Sequence, residues 1–270
     1  MSPFMQAGVL LMVAVLLTAC ARGPGGGLVA PRGEGRDRVT ASDEPEAMRR
    51  ARVRLELAGA YYGRGQMTTA LDEVKQAIAS DPTMAAAFNL RGLIYANLGD
   101  NALAEESFRR ALALDRQDPD VMQNYGWFLC QQGKFPQAQA LFKQALEVPR
   151  YRDTPRTMLS KGVCEARAGQ LAAAEATLQR AYELDPANPA IGVNLAEVLV
   201  QRGNLDRARF LIRRVNGQAE VVNAQTLWLA ARIEHKLGNR DGAQSLGDQL
   251  RARFPQSPEA GAYERRQFDE

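Results

Sequence analysis

The residues that could do chemistry in this chain are few and far apart. His235 is the one histidine among 270 residues, so no histidine cluster can hold a metal ion or relay protons. On a helical stretch it reads as a surface or packing residue. Glu105 and Glu106 form a carboxylate pair, but on an outer helix face solvated charge is the expected reading. GPGGG at 23–27 has neither a strand before it nor a helix after it, so it does not read as a phosphate-binding loop. No catalytic residue, no metal site, no cofactor and no small-molecule substrate are expected. The charge is nearly balanced, with 34 basic and 31 acidic residues, which gives no basic field for nucleic acid. Of three cysteines, Cys20, Cys130 and Cys164, the first has the most telling surroundings.

Val9–Leu17 is an unbroken apolar run, too short to span a bilayer comfortably and of signal-peptide length. It leads into Leu17-Thr18-Ala19-Cys20, which resembles the bacterial lipobox, where a signal peptidase cuts before a cysteine that then carries lipid. Residues 1–19 are therefore expected to be a lipoprotein signal peptide and Cys20 the lipidation site. Ala21 and Arg22 follow, with no aspartate at the second position, which resembles an outer-membrane address facing the periplasm. Residues 20–50 are rich in glycine and proline without apolar period and read as a flexible tether, with a reach of roughly 30 Å.

What must position any functional surface is a repeat. In Asn124–Leu146 a corner glycine, Gly133, separates two apolar-periodic runs, and Gly126, Ala138 and Ala145 sit at fixed offsets from it. The corner recurs at Gly65, Gly99, Gly169, Gly203 and Gly238, at intervals of 34, 34, 36, 34 and 35 residues. This is the period of a tetratricopeptide array. If the glycine is position 15, the units run 51–84, 85–118, 119–154, 155–188, 189–223 and 224–255. Position 20 is alanine in all six: Ala70, Ala104, Ala138, Ala174, Ala208 and Ala243. Position 27 is Ala77, Ala111, Ala145 and Ala181, then Val215 and Leu250. Pro82, Pro186 and Pro255 end second helices. The chain resembles the tetratricopeptide family over about residues 51–255, which implies an all-α, right-handed α-solenoid superhelix of about six helix-turn-helix units. Departures are Arg91 for the usual leucine, a break at Val215-Asn216-Gly217, and extra residues in 148–155, expected to protrude as a loop. Ser257-Pro258 reads as a helix start, and Glu259–Phe268, within 256–270, as a capping helix.

In that family, positions 2, 5, 9 and 12 of each first helix line the concave groove, one helical face. Here they supply Leu55 and Tyr62, Asn89 and Leu93, Gln123 and Trp127, and Leu159 and Val163 from the first four units. An apolar and aromatic stripe on a wet surface marks a partner site. Leu55 and Gly59 stand where carboxylate-clamp domains place lysine and asparagine, which argues against chaperone-tail binding. Cys130 and Cys164 occupy positions 12 and 10 of neighbouring first helices, about 200° apart around a helix. The expectation is two free, buried thiols.

Lipobox, tether and six units together resemble the type IV pilus biogenesis lipoproteins of the PilW/PilF family, the pilotins of pilus secretins. Asn124-Tyr125-Gly126-x-Phe128-Leu129 is similar to that family's motif in the third repeat. The insertion with Tyr151 and Pro155 falls between repeats three and four, as in the family, and the closing Leu250–Phe254-Pro255-x-Ser257 matches its tail. The resemblance implies a non-enzymatic protein that binds secretin subunits in the periplasm and promotes their assembly in the outer membrane. A scaffold lipoprotein of another outer-membrane or cell-wall assembly remains the alternative.

Overall fold

At each corner the chain must reverse within three residues, and the reversal goes through a left-handed residue. A computed structural model, which describes residues 45–268, gives Gly65, Gly99, Gly133, Gly169, Gly203 and Gly238 φ values between 72° and 81°. Only glycine enters that region without a Cβ clash. At Gly133 the closure is a Schellman pair: the Gly133 N–H donates to the Cys130 carbonyl at 3.1 Å and the Lys134 N–H to Leu129 at 2.9 Å.

These corners join helix pairs. The first helices of the six units are α1 (Glu46–Gly63), α3 (Ala85–Leu98), α5 (Pro119–Gln131), α7 (Thr154–Arg167), α9 (Pro189–Gln201) and α11 (Ala224–Lys236). The second helices are α2 (Met67–Ser80), α4 (Asn101–Leu114), α6 (Phe135–Glu147), α8 (Leu171–Leu184), α10 (Leu205–Asn216) and α12 (Arg240–Arg253), and α13 (Pro258–Glu264) closes the series. The described residues form an all-α solenoid. Several starts are fixed by side chains: Asp118 caps α5 by accepting from the Asp120 and Val121 N–H groups, and Asn223 forms a capping box with Thr226 at α11.

Within a unit the two helices meet where position 8 faces position 24, and the two side chains are complementary in size. Gly92 faces Phe108, Gly126 faces Phe142 and Gly162 faces Leu178; a Cβ on these glycines would lie 2.8, 3.0 and 2.5 Å from the opposing side chain. Interiors are packed to crystal density, so such pairs tolerate little change in volume. In the last unit the relation is inverted. Position 24 is Gly247, and the space is taken by Tyr263 of α13, whose ring would sit 1.9 Å from an added Cβ.

The structure corrects five expectations. Helix α1 begins at Glu46, so residues 46–50 belong to the array and not to the tether, helped by the Arg50–Glu46 pair at 2.7 Å. Residues 148–153 do not simply protrude. Tyr151 folds back half-buried, its hydroxyl donating to Asp120 Oδ1 at 3.1 Å and accepting from Thr157 Oγ1 at 3.1 Å. Burial, with Asp120 beside it, pushes the Tyr151 hydroxyl up to about 12. Glu105 is not solvated charge: its side chain is half-buried and takes Lys134 at 2.8 Å and Arg109 at 2.5 Å. The hydrogen bond from Lys134 holds its carboxyl below the usual range, against the opposing effect of burial. The closing helix stops at Glu264. Arg266 has φ 58° and the Gln267 N–H donates to Ala262 O, which turns the tail so that Phe268 stacks on His235 with centroids 4.0 Å apart.

The fifth correction concerns the thiols. Cys130 and Cys164 form a disulfide between α5 and α7, with Cα atoms 5.8 Å apart. Neighbouring first helices touch through opposite faces. A difference of about 200° in azimuth, which on one helix separates two residues, therefore aims these two at each other across the seam. Both residues are buried, at 2% and 0% exposure.

Two stability predictions follow from this packing. Phe142→Ala, which empties a fully buried site against Gly126, should cost about 3–5 kcal/mol in urea unfolding. Reducing the disulfide, or Cys130→Ser with Cys164→Ser, should cost about 4 kcal/mol for a bridge separated by 34 residues, and reductant should then shift the wild-type melting curve but leave the double variant's unchanged.

Candidate partner-binding groove

The first helices stack side by side, and positions 5, 9 and 12 lie along their seam. The contacts repeat from unit to unit. Asn97 Nδ2 donates to Tyr62 Oη at 3.0 Å between units one and two. Asn124 Nδ2 donates to Asn89 Oδ1 at 3.3 Å between two and three. Between three and four, Gln123 Nε2 donates to Ser160 Oγ at 3.0 Å, Arg156 Nη2 donates to Gln123 Oε1 at 2.8 Å, and the Arg167 guanidinium lies 5.1 Å from the Trp127 ring centroid. Each rung ties one unit to the next, so the candidate groove is also the surface that sets the stack.

Seven of the eight expected groove residues are half-buried, each with one side in the core and one in solvent. Leu55 and Tyr62 pack on the core of Ala58, Val74 and Ile94. Leu93 and Trp127 pack on the cluster around Phe108, Phe128 and Phe142, and Leu159 on that around Leu178 and Leu195. Val163 borders a cleft of about 280 Å³ with Arg167, Asn194 and Glu197. Gln123 differs: it is 6% exposed and serves as a rung, not as contact surface. Cys20 lies outside the described residues.

Two features escaped the sequence. The outer face of α1, which no preceding unit covers among the described residues, exposes Val53 at 46% and Leu57 at 40%. Together with Arg49, Arg50 and Arg54 they border an open cleft of about 540 Å³. The signal in the sequence is apolar residues at i and i+4, Val53 and Leu57. At the other end, the groove positions of unit six are occupied from within. Trp228 and His235 meet Phe268 at 5.2 and 4.0 Å, and Arg232 Nε donates to the Phe268 carbonyl at 3.3 Å. The open groove therefore belongs to the earlier units.

Fold and seam define a tetratricopeptide solenoid, a class of protein built to hold other proteins. Tetratricopeptide repeat models match residues 83–150, 129–189 and 165–227. Among solved structures, PilW, described as a widely conserved type IV pilus biogenesis factor, is 33% identical with a TM-score of 0.75, covering 79% of this chain and 97% of that one. The PilF structure of Pseudomonas aeruginosa aligns with a TM-score of 0.72 at 24% identity, over 82% and 100% of the two chains. The type IV pilus assembly protein PilF of Pseudomonas aeruginosa is 27% identical over 208 residues, 76% of this chain and 81% of that protein. The chain belongs to the PilF/PilW family of tetratricopeptide type IV pilus biogenesis factors.

If Gln123 is a rung, its loss is felt in stability. Gln123→Ala should lower unfolding stability by about 1 kcal/mol in urea titration, by removing its hydrogen bonds with Ser160 and Arg156 across the seam.

Proposed function

We propose that this protein is a pilotin: it binds subunits of the type IV pilus secretin in the periplasm and promotes their localisation and multimerisation in the outer membrane. The lipid on Cys20 would supply the anchor, on the periplasmic face of that membrane. The observation that supports the reading best is the surface of the first three units. Leu55, Tyr62, Leu93 and Trp127 run along a half-exposed seam, and Val53 and Leu57 extend apolar surface onto the face of α1 that no described residue covers. A stacked solenoid offers such a surface preformed, so a docking segment bears most of the ordering cost and the receptor little. Asn89, Leu159 and Val163 would extend the contact.

No metal-binding group of three or more His, Cys, Asp or Glu occurs among the described residues, and the reading needs no chemistry beyond binding. The alternative client, another envelope assembly, would use the same surface.

In cells carrying Leu55→Ser with Tyr62→Ser, heat- and detergent-resistant secretin multimers in outer-membrane fractions should fall at least fivefold, while the variant remains folded and abundant. Cys20→Ala should leave multimers forming but in the wrong membrane. Normal multimers in the outer membrane of a deletion strain would contradict the pilotin reading and leave the alternative client.

A further inference from the structure

The first helix of every later unit buries one face under the unit before it. Ala87 and Ile94 of α3 pack with Val74 and Ala77 of α2, and Val121 of α5 packs with Ala111 of α4. At position 3, Ala87, Val121, Thr157, Ile191 and Thr226 are at most 4% exposed. Position 10 is buried in the same five units. In α1 no unit precedes among the described residues. There positions 3, 7 and 10 are Val53 at 46% exposure, Leu57 at 40% and Ala60, also exposed. The face that the array elsewhere covers is open at its first helix.

This face extends as a single stripe. Glu46, Arg50, Val53, Leu57, Ala60 and Arg64 are spaced by four, three, four, three and four residues, the spacing of a coiled-coil seam, and all six are exposed. The stripe is acidic at one end, basic at the other and aliphatic between. Glu46 is joined to Arg50 at 2.7 Å, and Arg64 pairs with no carboxylate among the described residues. Such a stripe is complementary to its own reverse. Laid antiparallel about a two-fold axis at residue 55, Val53 meets Leu57 of a second copy, Arg50 meets Ala60 and Glu46 meets Arg64, and each contact occurs twice. A parallel copy would set Glu46 on Glu46 and Arg64 on Arg64. Charge therefore selects the antiparallel pairing.

We infer that the open face of α1 is a self-association surface, on which a second copy of this chain docks through its own α1, antiparallel and in this register. Leu55 and Tyr62 lie on the opposite side of α1, about 180° and 160° from the centre of the stripe, so the pair would leave the groove open. The inference does not rest on the pilotin reading, because it concerns the chain with no secretin present.

The test is sedimentation equilibrium of the full chain in density-matched detergent, over a concentration series. The expected result is a reversible monomer–dimer equilibrium with half the chain dimeric at about 0.1 mM, as suits a small interface. Leu57→Glu should weaken it at least tenfold, and Val53→Glu serves in its place if circular dichroism shows that variant misfolded. Glu46→Arg alone sets arginine against Arg64 of the copy, and Arg64→Glu alone sets glutamate against Glu46; each should weaken the dimer about fivefold. An equimolar mixture of these two variants restores both opposite-charge contacts, so it should dimerise as tightly as wild type. Only a second copy in this register predicts that rescue. A chain monomeric throughout the series, a dimer indifferent to Leu57→Glu, or a mixture no tighter than its components would overturn the assignment. None of these outcomes bears on secretin multimers, which are measured separately.

Discussion

Everything in this molecule depends on how closely one first helix can lie against the next. In a repeat array each unit touches only its neighbours, so no distant core compensates for a weak seam. The seam here is made differently at each step. Hydroxyl and amide groups link the first three units, and a buried disulfide reinforced by Arg167 over Trp127 links the third to the fourth. The covalent link falls where the corner interval stretches to 36 residues and the chain between α6 and α7 needs Tyr151 to fold it back. The step with the most irregular connection is thus the one with the strongest tie.

The same geometry explains how a scaffold can hold a surface preformed. The groove residues other than Gln123 are half-buried because one side of each serves the stack. Their other side is held in place by that service. On the proposed function, a partner would meet residues whose rotamers are already set, which lowers the entropic cost of association. The last unit does not take part: Phe268 and Tyr263 cover it, and Gly247 provides the space for the tyrosine. The solenoid is thus polar in function, closed at its C-terminal end and open along its first units.

How much of this could be read from the chain alone depended on whether the cause was local. Corner glycines and the alanines of position 20 have steric reasons that act within a few residues, so the array was legible unit by unit. The groove positions were legible as a face, but Gln123 was not, because its burial comes from Arg156 and Ser160 of the next unit. The disulfide is not legible from azimuths on one helix, because the bond joins opposing faces of two. The return of Phe268 rests on a left-handed Arg266, a conformation that residue type does not announce. The start of α1 was hidden by a charged first turn, Glu46 to Arg50, which shows no apolar period.

The most direct test of the central claim is hydrogen–deuterium exchange on the full chain with and without the periplasmic region of the secretin. The account predicts slowed exchange in the peptides of α1, α3 and α5, with α2, α4 and α6 unchanged. Protection confined to the second helices, or none at saturating partner, would contradict it.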